Sequence, residues 1–280
     1  MRERPAVIVP LDGSGIATNA LGAAQAMARI MNAVLYIVHV TGEPLSEMEL
    51  IEHLKLGQLN IKDFSLHQII GSDVVDGVLR FAAGVDTKMI VMSSHGYSYN
   101  PEHLVGSKTF GVVTRAVDPV MVIRPDMKFI PDASWTPRKM VVPQDGTPTA
   151  AAVMDQVFRL AELTGAEVDV LNIGVMGEKR PVEPGTLVIP QYLDHPRYDW
   201  PAWASEFVER FYKHRPPGID LRLFEREGSP AQVMNSFALE NGDDLIAIGW
   251  HGHFEEQRAP IVKELLQIAD EPVVLIWSRE

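Results

Sequence analysis

Short, uninterrupted apolar runs alternate along this chain with longer stretches in which apolar residues recur at helical spacing. Ala6-Val-Ile-Val9 is the first such run and ends at Pro10-Leu-Asp12-Gly-Ser14. A run with no polar alternation reads as a strand covered on both faces, the mark of a central parallel strand. Ala, Leu, Met and Ile then recur at helical spacing from Ile16 to Met31, which predicts a helix with Ser14 available as its N-cap. Ala33 to Val40 is the next predicted strand, and Leu45, Met48, Leu50, Ile51 and Leu54 suggest a second helix. Phe64 to Ile70 reads as a strand, Val74 to Ala83 as a helix behind Gly71-Ser72, and Asp86 to Met92 as a fourth strand. A loop, a helix over Ser107 to Ala116, the pair Asp118-Pro119 and a fifth strand, Val120 to Ile123, complete the series. Strand and helix alternating in this way predict a doubly wound α/β sheet.

The same landmarks then return in the same order. Met140-Val-Val-Pro-Gln-Asp145-Gly-Thr147 echoes Val7-Ile-Val-Pro10-Leu-Asp12-Gly-Ser14, and Val168-Asp-Val-Leu-Asn-Ile173 echoes Leu35-Tyr-Ile-Val-His-Val40. Gly228-Ser229 matches Gly71-Ser72, and Leu245-Ile-Ala-Ile-Gly-Trp-His-Gly252 matches the strand and loop ending at Gly96. Glu271-Pro-Val-Val-Leu-Ile276 matches Asp118-Pro-Val-Met-Val-Ile123. Ordered self-similarity of this kind signals an internal duplication. The expected organisation is a first domain over residues 1–125, a proline-bearing linker at 126–138, and a second domain over 139–280. Each domain is expected to be a five-stranded, mainly parallel sheet with helices on both faces. The second copy alone carries an insert rich in Pro and aromatic residues, around 176–203. It reads as a cover over a sheet edge anchored by Trp200 and Trp203, or as a partner or ligand lid.

Composition narrows the class. Hydrophobic residues make up 46% and charged residues 22% of the 280, the balance of a globular protein. A net charge of −12 opposes a general nucleic-acid or anionic-membrane surface. No apolar stretch is long enough to span a bilayer, and the N-terminus has no signal-peptide core, so a cytoplasmic location is expected. The absence of cysteine removes disulfides, thiolate metal sites and cysteine nucleophiles.

Ligands of an open α/β sheet bind outside the carboxyl ends of the strands, where strand order reverses. At those ends stand Asp12, Val40, Gly71 and the loop from Ser93 to Ser107. An acidic group there suits a ribose hydroxyl, a strand-end backbone suits an adenine edge, and glycines with a serine suit phosphates. Taken one at a time, Asp-Gly-Ser is also an ordinary turn and Gly-Ser an ordinary helix start.

At these residues the chain resembles the universal stress protein family, in its tandem-domain form. Nucleotide-binding members carry G-x2-G-x9-G-[S/T] after the fourth strand. Here the pattern falls on Ser93-Ser-His-Gly96, nine residues, then Gly106-Ser107, with Ser93 replacing the first glycine. Pro10 and Asp12 after the first strand, His39-Val40 after the second and Asp118-Pro119 before the fifth agree with it. The resemblance implies a Rossmann-like, adenine nucleotide alpha hydrolase-like fold. It also implies binding of ATP or another adenine nucleotide in the first domain, and leaves open an accompanying Mg ion. The implied nucleotide-binding residues are Pro10, Asp12, Val38, Val40, Met92, Ser93, Gly96, Gly106 and Ser107, with Asp12 at ribose, Val38 to Val40 near adenine, and Met92, Gly96, Gly106 and Ser107 around the phosphates. The Cβ of Ser93 stands where the pattern has none.

The second copy keeps Asp145, Gly249 and Gly252, but its expected Gly-Ser falls on Ala259-Pro260. Proline has no N–H to donate, Glu255 and Glu256 would repel a phosphate, and Trp250 adds bulk. A degenerate second site is therefore expected. The resemblance further implies an intramolecular pseudo-dimer of the two domains through their last strands, Val120–Ile123 and Val273–Trp277, and leaves a homodimer and a protein partner open. A zinc site from His195, His214, His251 and His253 lacks helical His spacing or a carboxylate cluster to support it, and His95 reads as a hydrogen-bonding spacer. The function expected is regulatory: nucleotide occupancy orders the loop and biases a partner surface. A scaffold that binds no nucleotide, or a slow ATPase, are the alternatives.

Overall fold

The computed structural model describes residues 4–59, 61, 63–96, 106–144, 148–174, 205, 208–250 and 258–277. The first half runs β1 (Ala6–Pro10), α1 (Asn19–Ile30), β2 (Val34–Thr41), α2 (Glu47–His53), β3 (Phe64–Ile70), α3 (Val74–Ala83), β4 (Thr87–Ser93), α4 (Ser107–Arg115) and β5 (Val120–Ile123). The second runs β6 (Lys139–Gln144), α5 (Pro148–Ala152), α6 (Met154–Thr164), β7 (Glu167–Gly174), β8 (Leu221–Glu227), α7 (Pro230–Asn241), β9 (Leu245–Trp250), α8 (Arg258–Ile268) and β10 (Val273–Trp277).

The two five-stranded units form one sheet of ten strands, in the order β3-β2-β1-β4-β5-β10-β9-β6-β7-β8. Every adjacent pair is parallel except the central one. There β5 and β10 run antiparallel, with Val122 opposite Val273 and Val120 opposite Leu275. The last strands of the two halves thus join as the pseudo-dimer reading expected. Pleating sends alternate residues to opposite faces. Val7 and Val9 enter a core shared with α1 and α6, while Ile8 enters the core beneath α3, α4, α7 and α8. Both cores run across the seam, which is why the β1, β5 and β9 runs are apolar throughout.

Local chemistry explains where the first two helices begin. The first helix begins at Asn19 rather than Ile16. Ser14 Oγ accepts the Ala17 N–H at 3.1 Å, so it caps a preceding turn whose bonds run from Asn19 N to Ile16 O and from Ala20 N to Ala17 O. In contrast, α2 has a full capping box: Ser46 Oγ accepts from Glu49 N, and Glu49 Oε2 accepts from Ser46 N at 2.8 Å.

The segment between the halves is packed rather than free. Met127 and Trp135 are buried in the α1-side core, with Ile130 against it. Arg29, in the last turn of α1, donates to the Trp135 carbonyl at 2.7 Å and to Thr136 Oγ1 at 2.9 Å. Gly22 of α1 lies under this segment, where a Cβ would overlap the Pro131 carbonyl. The segment therefore closes the seam on the α1 face.

Candidate functional site

Strand order reverses at β1 and β4, since β2 and β3 lie to one side and β5 to the other. Such a reversal opens a crevice outside the carboxyl ends of the two strands. Leu11-Asp12-Gly13-Ser14 leaves β1 there, and Ser94-His95-Gly96 leaves β4.

The β1 turn is fixed by its own backbone. Leu11 N–H donates to the Val38 carbonyl at 2.9 Å, and the Leu11 carbonyl accepts from His39 Nδ1 at 2.8 Å. Asp12 Oδ1 then accepts the Ser14 N–H at 2.9 Å, an Asx turn that sets the carboxylate's direction. Gly13 has φ +86°, and a Cβ on it would come 2.8 Å from His53 Nε2. Only glycine meets both demands. The His53 ring in turn lies 4.9 Å from that of His39.

The β4 end is tied to α4 and to the seam. Ser94 N–H donates to the Ile123 carbonyl of β5 at 2.8 Å. Thr109 Oγ1 donates to the Ser93 carbonyl at 2.8 Å, and Gly106 N–H donates to the Ser94 carbonyl at 2.8 Å. Ser94 Oγ and His95 Nδ1 share a hydrogen bond of 2.8 Å. Gly96 meets Asp12 directly: a Cβ on Gly96 would overlap the Asp12 carboxylate. A Cβ on Gly106 would come 3.0 Å from the Ser94 carbonyl oxygen and 3.5 Å from His95 Cα. The N-cap of α4 is Gly106, which has no side chain to cap it. The N–H groups of Ser107, Lys108 and Thr109 open this helix, and first-turn N–H groups have no intrahelical acceptor. They present the positive end of the helix dipole, a setting for an anion.

Of the residues singled out in the sequence, Asp12 and Gly96 are brought into contact, and Gly106 and Ser107 stand at the α4 start beside Ser94. Pro10, Asp12, Val40, Gly96 and Gly106 are half-buried at this edge and Ser107 is exposed. Val38, Met92 and Ser93 are buried in the strands themselves. The Val38 carbonyl is spent on Leu11, and the Gly106 N–H on Ser94. Val40 packs over Gly77 of α3, which has no Cβ to obstruct it. Sequence reasoning missed His53, Ser94 and Thr109, which brace the turn and the loop; the small buried pair Ser93-Ser94 at a strand end was the available signal. The loop at 97–105 lies outside the described residues.

The family model of the universal stress proteins matches the chain twice, over residues 4–124 and 136–276. The chain belongs to the universal stress protein family. No curated protein matches it. Among solved structures, a Pseudomonas aeruginosa UCBPP-PA14 protein assigned to the universal stress proteins superposes with TM-score 0.67 at 14% identity, covering 98% of this chain and 93% of its own. A universal stress protein from Archaeoglobus fulgidus gives TM-score 0.60 at 16% identity, covering 98% and 97%. At such identities the likeness is one of fold.

The second universal stress domain presents the same edge with different chemistry. Gln144 stands where the first domain has Leu11; it is buried, and its Nε2 donates to the Ala150 carbonyl at 2.7 Å. Ala150 lies within α5, which ends at Ala152 just before the interruption that separates it from α6. Trp250 ends β9 where the first domain has Ser94, and its indole N–H donates to the Val113 carbonyl of α4 at 2.9 Å. Its bulk thus goes into the seam. Pro260 lies in the first turn of α8. Asp145, the loop with Gly252, Glu255 and Glu256, the insert at 176–203, and His195, His251 and His253 lie outside the described residues. Among the described residues, no group of three His, Cys, Asp or Glu side chains is placed to hold a metal, and no helix is long and apolar enough to cross a membrane.

A charged cluster occupies the opposite, amino edge of the second domain. Asp169 is fully buried on β7, accepts from Arg222 Nε at 2.8 Å and is ion-paired with Lys139 Nζ at 3.0 Å. Asp243, just before β9, is buried, and neither carboxylate oxygen is hydrogen-bonded among the described residues. Burial, and then the Asp169 charge, push its carboxyl up to about 7. Glu271 is pushed up to about 7 by burial and the nearby Asp244 and Asp270.

Proposed function

We propose that the first domain binds ATP or a related adenine nucleotide at the β1–β4 edge, and that the protein acts as a regulatory stress-response protein. In this reading Asp12 takes the ribose hydroxyls, Val40 borders the adenine, and Gly96 with the first turn of α4 receives the phosphates. The observation that carries it is the meeting of Gly96 with the Asp12 carboxylate beside the start of α4. Two strand ends and a helix start converge there, and a Cβ on Gly96 would overlap the Asp12 carboxylate while one on Gly106 would press on the Ser94 carbonyl. The second domain serves as the pairing partner, completing the ten-stranded sheet.

A scaffold that binds no nucleotide is the rival, and the engagement of the Gly106 N–H with Ser94 favours it, because one phosphate donor is already used. Calorimetry with ATP decides between them. The wild type should give saturable heat, and Gly106→Val should give none while keeping its circular dichroism spectrum. No heat and no thermal shift at millimolar ATP sinks the nucleotide reading. Binding that survives Gly106→Val shows that the site is misplaced.

A further inference from the structure

Trp250 belongs to the second domain, yet its polar atom serves the first. Along β9 the pleat sends Leu245 and Ala247 to the α1-side core, and Ile246, Ile248 and Trp250 to the opposite one. The last of these is 2% exposed, and its indole crosses the seam to α4. The acceptor, the Val113 carbonyl, lies in the last turn of that helix, where carbonyls lack an intrahelical donor. The chain turns extended at Ala116, with φ −70° and ψ 138°. A second contact reaches the same helix: Lys263 Nζ of α8 lies 5.3 Å from the Phe110 ring centroid.

The helix held at this end is short, nine residues from Ser107 to Arg115. At the 1.5 Å rise of an α-helix it is a rod of roughly 13 Å. Its other end carries the Gly106 to Ser94 and Thr109 to Ser93 bonds, and the N–H groups that the nucleotide reading assigns to phosphate. The matching first-domain residue, Ser94, keeps its hydroxyl for its neighbour His95. Ser94 therefore does not mirror the Trp250 bond.

We infer that Trp250 is a positioning residue for the first domain's site: its indole N–H fixes the axial placement of α4, and with it the first-turn N–H groups relative to Asp12 and Gly96. The inference rests on the nucleotide reading for its functional consequence but not for its structural one. It gives the second domain a task beyond pairing, that of holding its neighbour's anion-facing helix in place.

The test uses the full chain and Trp250→Phe, which keeps an aromatic ring and loses the donor. In nucleotide-free protein, hydrogen exchange at the Gly106 and Phe110 amides should quicken about tenfold, the scale of one lost hydrogen bond. The ATP dissociation constant should rise about five- to tenfold. Arg124→Met is the control. It removes the 3.1 Å bond from Arg124 Nη1 to the Ala269 carbonyl, a contact that crosses the seam in the other direction, and should leave both readouts at wild-type values. Lys263→Met, at an exposed position, should quicken the same amides about two- to threefold and serves if Trp250→Phe does not fold. Unchanged exchange at Gly106 and Phe110 in the folded variants overturns the positioning role, whatever ATP does. Faster exchange with an unchanged ATP dissociation constant overturns its functional consequence. Faster exchange in a protein whose wild type gives no heat with ATP sinks the nucleotide reading and leaves the positioning role standing.

Discussion

The two carboxyl edges of this molecule are built from the same strands in the same order and have been put to different uses. In the first domain the turn after β1 presents Asp12, and the chain after β4 presents Gly96 against it. In the second, Gln144 follows the strand inward and bonds the Ala150 carbonyl, and Trp250 sends its polar atom across the seam. One edge keeps its backbone accessible by omitting side chains. The other spends its side chains on structure. Duplication supplied two equivalent edges, and the residues at matching places give each its own chemistry.

The largest effect expected from that difference is at Gly96. A valine there collides with the Asp12 carboxylate and displaces either the acid or the loop. ATP affinity measured by calorimetry should fall at least about a hundredfold. The unfolding temperature should change little, because the loop is at the edge of the core. An affinity within about threefold of wild type would break the comparison, since the meeting of Gly96 with Asp12 would then have no bearing on binding.

Next in size is Gly22→Ala. Glycine to alanine on an exposed helix face stabilises by about 1 kcal/mol. On α1 the new methyl would overlap the Pro131 carbonyl, so the connecting segment must lift. A loss of about 2 kcal/mol in urea unfolding is expected, with Trp135 becoming more exposed to a fluorescence quencher. Stabilisation instead would show that the segment is a free tether, and that the domains are held by the β5–β10 seam alone.

The amino edges differ as well. Thr87 of the first domain satisfies its hydroxyl on the Ala82 carbonyl at 2.7 Å, whereas Asp243, its counterpart, has no hydrogen-bond partner for either oxygen among the described residues. Tyr36 packs edge-on against His67 and Phe81, whereas its counterpart Asp169 is buried between Lys139 and Arg222. A carboxyl raised to about 7 on folding holds its proton in the native state after the unfolded chain has lost it. Its contribution to stability is full below the unfolded value near 4 and is lost as pH rises through about 7. Glu271 acts in the same direction. Asp243→Asn should raise the melting temperature at pH 8 by about 2–6 °C and flatten its fall between pH 5 and about 8. A variant that tracks the wild type across this range would mean that Asp243 is ionised in the fold.

Much of this architecture was legible in the chain. Uninterrupted apolar runs such as Val120–Ile123 mark strands buried on both faces, and the echo of Val7–Ser14 in Met140–Thr147 exposes the duplication. What stayed hidden depends on partners distant in sequence. The connecting segment has no periodicity because it is held by isolated anchors, Met127 and Trp135, and by carbonyls that Arg29 finds a hundred residues away. Trp250 read as bulk in a ligand loop, although alternation from Ile246 and Ile248 already placed it on the helix-covered face. Asp12 and Gly96 were each legible as strand-end residues. Their contact follows only from β1 and β4 being neighbours, a fact of strand order rather than of local pattern.

The smallest effect is the most direct comparison of the two edges. Gln144→Leu gives the second domain the residue that Leu11 supplies in the first. Gln144 is buried, and its amide oxygen has no hydrogen-bond partner among the described residues. Removing an unsatisfied buried polar atom returns its desolvation cost, and leucine nearly conserves the volume. Against that stands the loss of the Nε2 bond to Ala150, worth about 1 kcal/mol. The two terms leave a net gain of up to about 1 kcal/mol, read as a higher denaturation midpoint at unchanged slope. First-domain ATP affinity should not move. A loss above about 1 kcal/mol would show that the Gln144 bond sets the break between α5 and α6, making the divergence of this edge a structural requirement of the second domain.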